Sequence, residues 1–231
     1  MDNNRLDELQ SRLGYHFKDI TLLEMALTHS SYENELKINK TGNYERLEFL
    51  GDAVLELTVS EFLFEGYPEK SEGELTRIRA SLVCEPTLAN VARGFELPVF
   101  IKLGKGEKKN NGAQRDSLLC DVFEAIAGAI YLDGGYAASK KYIQEFLLTD
   151  WNKKVLFTDA KSLLQELLQK EGNTALYETV SVDGPANSCV YTERLIIAGE
   201  EKMLGKGTSR KAAQQQAAYE YLLLIGYGLG N

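Results

Sequence analysis

Along residues 43–65, NYERLEFLGDAVLELTVSEFLFE, apolar side chains fall on nearly every side of a helical projection. Leu47, Phe49, Leu50, Val54, Leu55, Leu57 and Val59 leave little of the cylinder polar. Such a stretch predicts a buried helix, yet it carries Glu48 and Asp52, four residues apart and therefore on one face. The pattern returns at residues 116–133, DSLLCDVFEAIAGAIYLD, where Asp121 and Glu124 stand three apart among Leu118, Leu119, Val122, Phe123, Ile126 and Ile130. Packed side by side, two such helices would gather four carboxylates. At a separation of ~5 Å and an effective dielectric of ~20, each like-charged pair costs roughly 3 kcal/mol, so protonation or a divalent cation must compensate.

The remaining pattern up to residue 150 is also helical. Residues 5–30 predict two short helices, the second over 20–29 with Leu22, Leu23, Ala26 and Leu27 inward, and residues 33–42 read as a polar loop. Asn43 is the expected N-cap of the first acidic helix, with Glu45 in its first turn, and Gly66-Tyr67-Pro68 ends it. Ser71 followed by Glu74 has the spacing of a capping box and opens a helix through Arg77, Arg79 and Val83. Another helix is expected over 85–94. Residues 102–115, with four lysines, one arginine, three glycines and a single acid, read as a flexible basic loop just before the second acidic helix. Gly134 and Gly135 close that helix, and a last one runs to about residue 150.

Beyond residue 160 the rhythm changes. Residues 161–171 predict a helix with Leu163, Leu164, Leu167 and Leu168 on one stripe, stopped by Gly172. Alternating runs over 176–182, 189–197 and 202–205 predict three strands, and residues 209–225 a helix burying Ala213, Ala217, Ala218, Tyr221 and Leu222. The fold class is therefore mainly α: an all-helical domain over residues 1–150, a linker over 151–159, and a small α-β-β-β-α domain over 160–230.

Composition narrows the classes. A 231-residue chain that is 44% hydrophobic and 26% charged is globular, and no apolar run reaches the ~20 residues of a spanning helix. The N-terminus carries acids and no apolar core, so neither a secretory signal nor a membrane partner is expected, and the expected compartment is the cytoplasm. Cys84, Cys120 and Cys189 are scattered and odd in number, which predicts free thiols; His16 and His29 read as structural. The net charge of −8 opposes nucleic-acid binding as a total, but the cations are clustered. One cluster is Lys105, Lys108, Lys109 and Arg115. The other is Lys206, Ser209, Arg210 and Lys211 around a helix start, where a cap, free N–H groups and positive charge suit a phosphate.

The literal strings say more than the periodicity. Glu45-Arg46-Leu47-Glu48-Phe49-Leu50-Gly51-Asp52, continuing Ala53-Val54-Leu55, resembles the signature of the ribonuclease III family, and Asp121-Val122-Phe123-Glu124-Ala125 resembles its second acidic motif. Residues 26–32, ALTHSSY, and 77–83, RIRASLV, also look like that family's nuclease domain, and residues 207–213, GTSRKAA, look like the basic helix start of a double-stranded-RNA-binding domain. The resemblance covers nearly the whole chain.

It implies an endoribonuclease that cleaves double-stranded RNA by metal-assisted hydrolysis, leaving 5′-phosphate and 3′-hydroxyl ends and two-nucleotide 3′ overhangs, on ribosomal RNA precursors and structured messages. Glu48, Asp52, Asp121 and Glu124 would hold Mg²⁺, with Mn²⁺ able to substitute. Asp52 and Glu124 would be catalytic and the protein a homodimer. Two departures from the RNA-binding pattern, Gln214 in place of a lysine and Asn187 in place of a histidine, predict weak RNA binding by the C-terminal domain alone. Two other classes compete: a protein that binds double-stranded RNA without cutting, and a di-metal diphosphate enzyme. All four acids are present and no DDxxD string is, which disfavours both.

Overall fold

The computed structural model describes residues 3–36, 42–185 and 189–227, in two units, Met1–Thr149 and Asp150–Asn231. Nine helices are described in the first: α1 (Asn3–Leu13), α2 (Ile20–Ala26), α3 (Ser30–Leu36), α4 (Glu45–Gly66), α5 (Glu72–Val83), α6 (Glu85–Gly94), α7 (Lys105–Lys109), α8 (Asp116–Gly134) and α9 (Tyr136–Ile143). The second comprises α10 (Trp151–Lys170), strands β1 (Ala175–Asp183), β2 (Val190–Ile197) and β3 (Glu200–Gly207), and α11 (Arg210–Leu224). The fold is mainly α, with an α-β-β-β-α second unit, as the sequence pattern predicts.

Helix α8 is the axis of the first unit. Leu118, Leu119, Val122, Phe123, Ala125, Ile126, Ala127, Ala129 and Ile130 are all essentially inaccessible to solvent, and α2, α4, α6 and α9 pack around them. Two glycines set its contact with α4. A Cβ on Gly51 would lie 1.8 Å from the carbonyl oxygen of Glu124, and one on Gly128 would lie 2.3 Å from that of Leu47. The helices therefore touch backbone to backbone. Glycine costs a helix interior about 1 kcal/mol relative to alanine, a loss that close packing here offsets.

Other junctions rest on polar atoms. The capping box forms: Ser71 Oγ accepts from the Glu74 N–H, and the Glu74 carboxylate accepts from the Ser71 N–H. At the end of α8, the Asp133 carboxylate accepts from the Tyr15 hydroxyl at 2.6 Å and from the N–H groups of Lys18 and Asp19 at 3.0 and 2.8 Å, which fastens the segment before α2. Gly135, at φ 79°, turns the chain into α9.

The structure differs from the expected pattern in five places. Helix α4 is not buried all round: Leu47, Gly51, Val54, Leu55, Thr58, Val59 and Leu63 face the core, while Phe49, Leu57 and Phe64 are 82%, 58% and 77% exposed. A helix at the edge of one chain has only one side covered, however apolar the other. Helix α3 takes up residues 33–36 of the expected loop, and residues 37–41 lie outside the described residues. The basic segment is not wholly loop, since residues 105–109 form the short α7 and residues 112–114 a tight turn. The residue preceding α4 is Tyr44 rather than Asn43, although Asn43 Oδ1 still accepts from the Glu45 N–H at 3.1 Å. Residues 151–159 are helical, and α10 kinks at Asp159, whose φ and ψ are −124° and 22°.

In the second unit the sheet is antiparallel in the order β1-β2-β3, with Tyr177 opposite Leu195 and Leu195 opposite Met203. Leu195 and Ile197 point at α10 and α11, meeting Leu164, Leu168, Ala217, Ala218 and Leu222 in one core. Gly205 and Gly207 let α11 lie against β3: a Cβ at either would come within 2.1 Å of Ala213 O or 2.5 Å of Ala213 N, respectively.

Gly128→Ala is expected to destabilise the protein by roughly 3 kcal/mol or more, since the added methyl meets backbone that cannot step aside. Gly66→Ala, on α4 with open space around it, is expected to be neutral or slightly stabilising. Thermal unfolding of the two variants tests this; equal melting temperatures would refute the close crossing.

Candidate active site

The glycine crossing decides where the acids stand. Gly51 neighbours Asp52 in sequence and abuts the Glu124 backbone in space, so the acidic face of α4 lies beside that of α8. Glu124 and Glu48 feel the charges of the neighbouring acids. Glu124 is pushed up to about 8, first by burial, then by the charges of Asp52, Glu48 and Asp121. Glu48 is raised by burial and then by Asp121, Glu45 and Asp52. Burial also raises Asp121, against the lowering influence of the Tyr44 hydroxyl, His29 and Arg115.

The donor chemistry suits a hard divalent cation: the four acids offer oxygen alone, and their mutual repulsion is what such a cation relieves. The side chains are nevertheless spread. Among the described residues, no three acidic, histidine or cysteine side chains close into a metal-binding group as they stand. Asp52 is exposed and the other three are half-buried, so rotation of the outer side chains is what a cage would require.

Three neighbours carry no periodic signal in the sequence. Tyr44, 7% exposed, donates its hydroxyl to Asp121 Oδ2 at 3.1 Å. The His29 ring lies 5.8 Å from that of Tyr44, and its Nδ1 accepts from the Ser31 N–H at 3.1 Å. His29 thus has a structural part and also faces the acidic site. Cys120, one helical turn before Glu124, directs its thiol at Glu124 Oε1 over 3.7 Å, and burial first, then Glu124, raises the thiol's pKa. Only adjacency to the ERLEFLGD string could have pointed to Tyr44.

The expected RNA contacts divide between the units. In the first, Lys105, Lys108 and Lys109 are exposed on α7, while Arg115 pairs with Glu107 at 3.1 Å. In the second, Lys206, Ser209, Arg210 and Lys211 are exposed together, and Ser209 Oγ caps α11 by accepting from the Ala212 N–H at 3.1 Å. Asn187 lies outside the described residues. Gln214 is occupied: it donates to buried Glu193 at 2.8 Å and accepts from Lys161 Nζ at 2.6 Å, while Thr179 donates to Glu193 at 2.6 Å. A side chain at this position faces both the Glu193 carboxylate and the Lys161 ammonium.

Comparison with known proteins gives the family. Residues 19–151 match the model of a ribonuclease-III-like domain, and residues 160–225 match the double-stranded RNA binding motif. The chain belongs to the ribonuclease III family. It is 44% identical to ribonuclease 3 of Pediococcus pentosaceus over 222 residues, covering 95% of this chain and 96% of that protein. Ribonuclease 3 of Enterococcus faecalis is also 44% identical, over 228 residues, covering 97% and 99%. Among solved structures, the nuclease domain of ribonuclease III from Campylobacter jejuni superposes with a TM-score of 0.58 at 41% identity, over 65% of this chain and 97% of that domain. As a ribonuclease III family member with both domains, the chain is a double-stranded-RNA-specific endoribonuclease, which sets aside the binding-only and diphosphate-enzyme readings.

Glu124 also fixes a pH dependence. Its carboxyl is raised from 4.5 to about 8 in the folded protein, so the unfolded chain ionises first. The stabilisation is full below the unfolded value and is lost as pH rises through the folded one. In EDTA, the melting temperature is expected to fall between about pH 5 and pH 8, and Glu124→Gln to flatten that slope. An unaltered slope in the variant would contradict the assignment.

Proposed function

We propose that the double-stranded RNA is cut at the acidic faces of α4 and α8. Glu48, Asp52, Asp121 and Glu124 hold Mg²⁺ there, with Mn²⁺ able to replace it because carboxylates serve both ions. The observation that carries this reading is the burial of Glu124 beside the charges of Asp52, Glu48 and Asp121. When bound, the ion supplies Lewis-acid activation of a water and stabilises charge on the leaving 3′ oxygen. By resemblance to the family, Asp52 and Glu124 are assigned the catalytic part, while Glu48 and Asp121 would position the ion. Products on this reading carry 5′-phosphate and 3′-hydroxyl ends with two-nucleotide 3′ overhangs, and ribosomal RNA precursors and structured messages are the substrates. Free Cys84, Cys120 and Cys189 are in keeping with a reducing cytoplasm.

RNA is held by two basic surfaces. Lys105, Lys108, Lys109 and Arg115 lie on the segment leading into α8, and Lys206, Ser209, Arg210 and Lys211 lie at the start of α11. Cations at a helix N-terminus oppose the helix dipole, and a phosphate seated there reverses the penalty.

The functional unit is a homodimer, one active site for each strand. The exposure of Phe49, Leu57 and Phe64 on α4 supports this, since large apolar side chains left in water on one helix suit an interface. The C. jejuni nuclease domain has itself been described with a region involved in dimer formation.

Cleavage of a long paired RNA is expected with Mg²⁺ and not with EDTA, and is expected to drop at least about 10²-fold in Glu124→Gln while RNA binding is retained. Binding without cutting by the unmodified protein would overturn the assignment. Separately, Phe49→Asp is expected to convert the dimer to a monomer in sedimentation velocity; an unmodified chain that sediments as a monomer would remove the dimer from the reading.

A further inference from the structure

Tyr44 occupies a place that the four-carboxylate site does not itself explain. It immediately precedes α4, yet its hydroxyl crosses to α8 and donates to Asp121 Oδ2 at 3.1 Å. Two contacts and its burial hold it in that pose. Its N–H donates to the Thr28 carbonyl at 3.0 Å, its ring lies against His29, and only 7% of the residue is exposed. The Thr28 segment is itself fixed, because the Lys102 N–H donates to Leu27 O at 2.8 Å and the His29 N–H to Lys102 O at 3.0 Å. The phenol is therefore a pre-placed donor at the end of a chain of backbone contacts.

Asp121 needs such a donor. A lone aspartate on a helix turns about two side-chain bonds, and ordering it around an ion costs conformational entropy. A hydrogen bond to one oxygen removes part of that freedom in advance and leaves the other oxygen for the ion, the arrangement by which outer groups orient metal-binding carboxylates. We propose that Tyr44 is a positioning residue which orients Asp121 for divalent-cation binding; this rests on the reading of Asp121 as a metal-holding residue given above.

The test compares four full-length proteins: unmodified, Tyr44→Phe, Asp121→Asn and the double variant. Mn²⁺ is titrated calorimetrically without RNA, and cleavage of a paired RNA is followed against Mg²⁺ concentration. Tyr44→Phe keeps the ring and loses only the hydroxyl. It is expected to weaken Mn²⁺ binding about ten-fold or more, to raise the Mg²⁺ concentration for half-maximal cleavage by a similar factor, and to recover activity as Mg²⁺ is raised. In the Asp121→Asn background, Tyr44→Phe is expected to add no further loss, because it acts through that carboxylate.

Unchanged Mn²⁺ affinity in Tyr44→Phe, alongside a loss in Asp121→Asn, would overturn the role of Tyr44 and leave the four-carboxylate reading standing. Unchanged affinity in Asp121→Asn would overturn that reading, and the positioning role with it. A Tyr44→Phe chain that fails to fold would assign the hydroxyl to stability and likewise overturn the proposal.

Discussion

The backbone contact between α4 and α8 is the constraint on which the first unit depends. Two apolar helices normally keep 8–10 Å between their axes because side chains stand in the way. Here Gly51 and Gly128 remove those side chains at the crossing, and the carbonyls of Glu124 and Leu47 occupy the space. The rest of the core secures this contact: α8 is enclosed by α2, α6 and α9, and Asp133 ties its far end to the segment before α2. Ridged packing of larger residues would push the acidic faces apart and weaken both the burial and the repulsion that raise Glu124.

That repulsion is tolerated because it is graded. Asp52 stays in water, Glu124 is the most strongly shifted carboxyl of the four, and Asp121 is opposed by Tyr44, His29 and Arg115. A set of acids that are neither all solvated nor all neutralised suits a site that admits a cation. On the proposed reading, the stability lost to repulsion in the metal-free protein would be in part recovered on binding a divalent cation.

The second unit reaches a comparable result with different means. Its core is small, and close approach of α11 to β3 at Gly205 and Gly207 sets the position of the helix start that carries Arg210 and Lys211. Beneath it, Glu193 is buried and satisfied by Thr179 and Gln214, and Gln214 in turn engages Lys161. Gln214 is thus a neutral link between a buried acid and a nearby cation.

Much of this was legible in the chain before folding. Period and spacing placed both acidic helices, the Ser71–Glu74 capping box and the three strands, because these depend on neighbours within a few residues. The i, i+4 and i, i+3 spacings placed Glu48 with Asp52 and Asp121 with Glu124, since helical geometry fixes such pairs without reference to anything else. Tertiary structure alone decided which side of α4 would be covered, leaving Phe49, Leu57 and Phe64 outside, and which residues would meet across helices. Tyr44 and Asp121 are 77 positions apart, and no local pattern encodes their contact. The glycines show the same division: the sequence displays Gly51 and Gly128, but only the crossing of two backbones supplies the reason that neither can carry a Cβ.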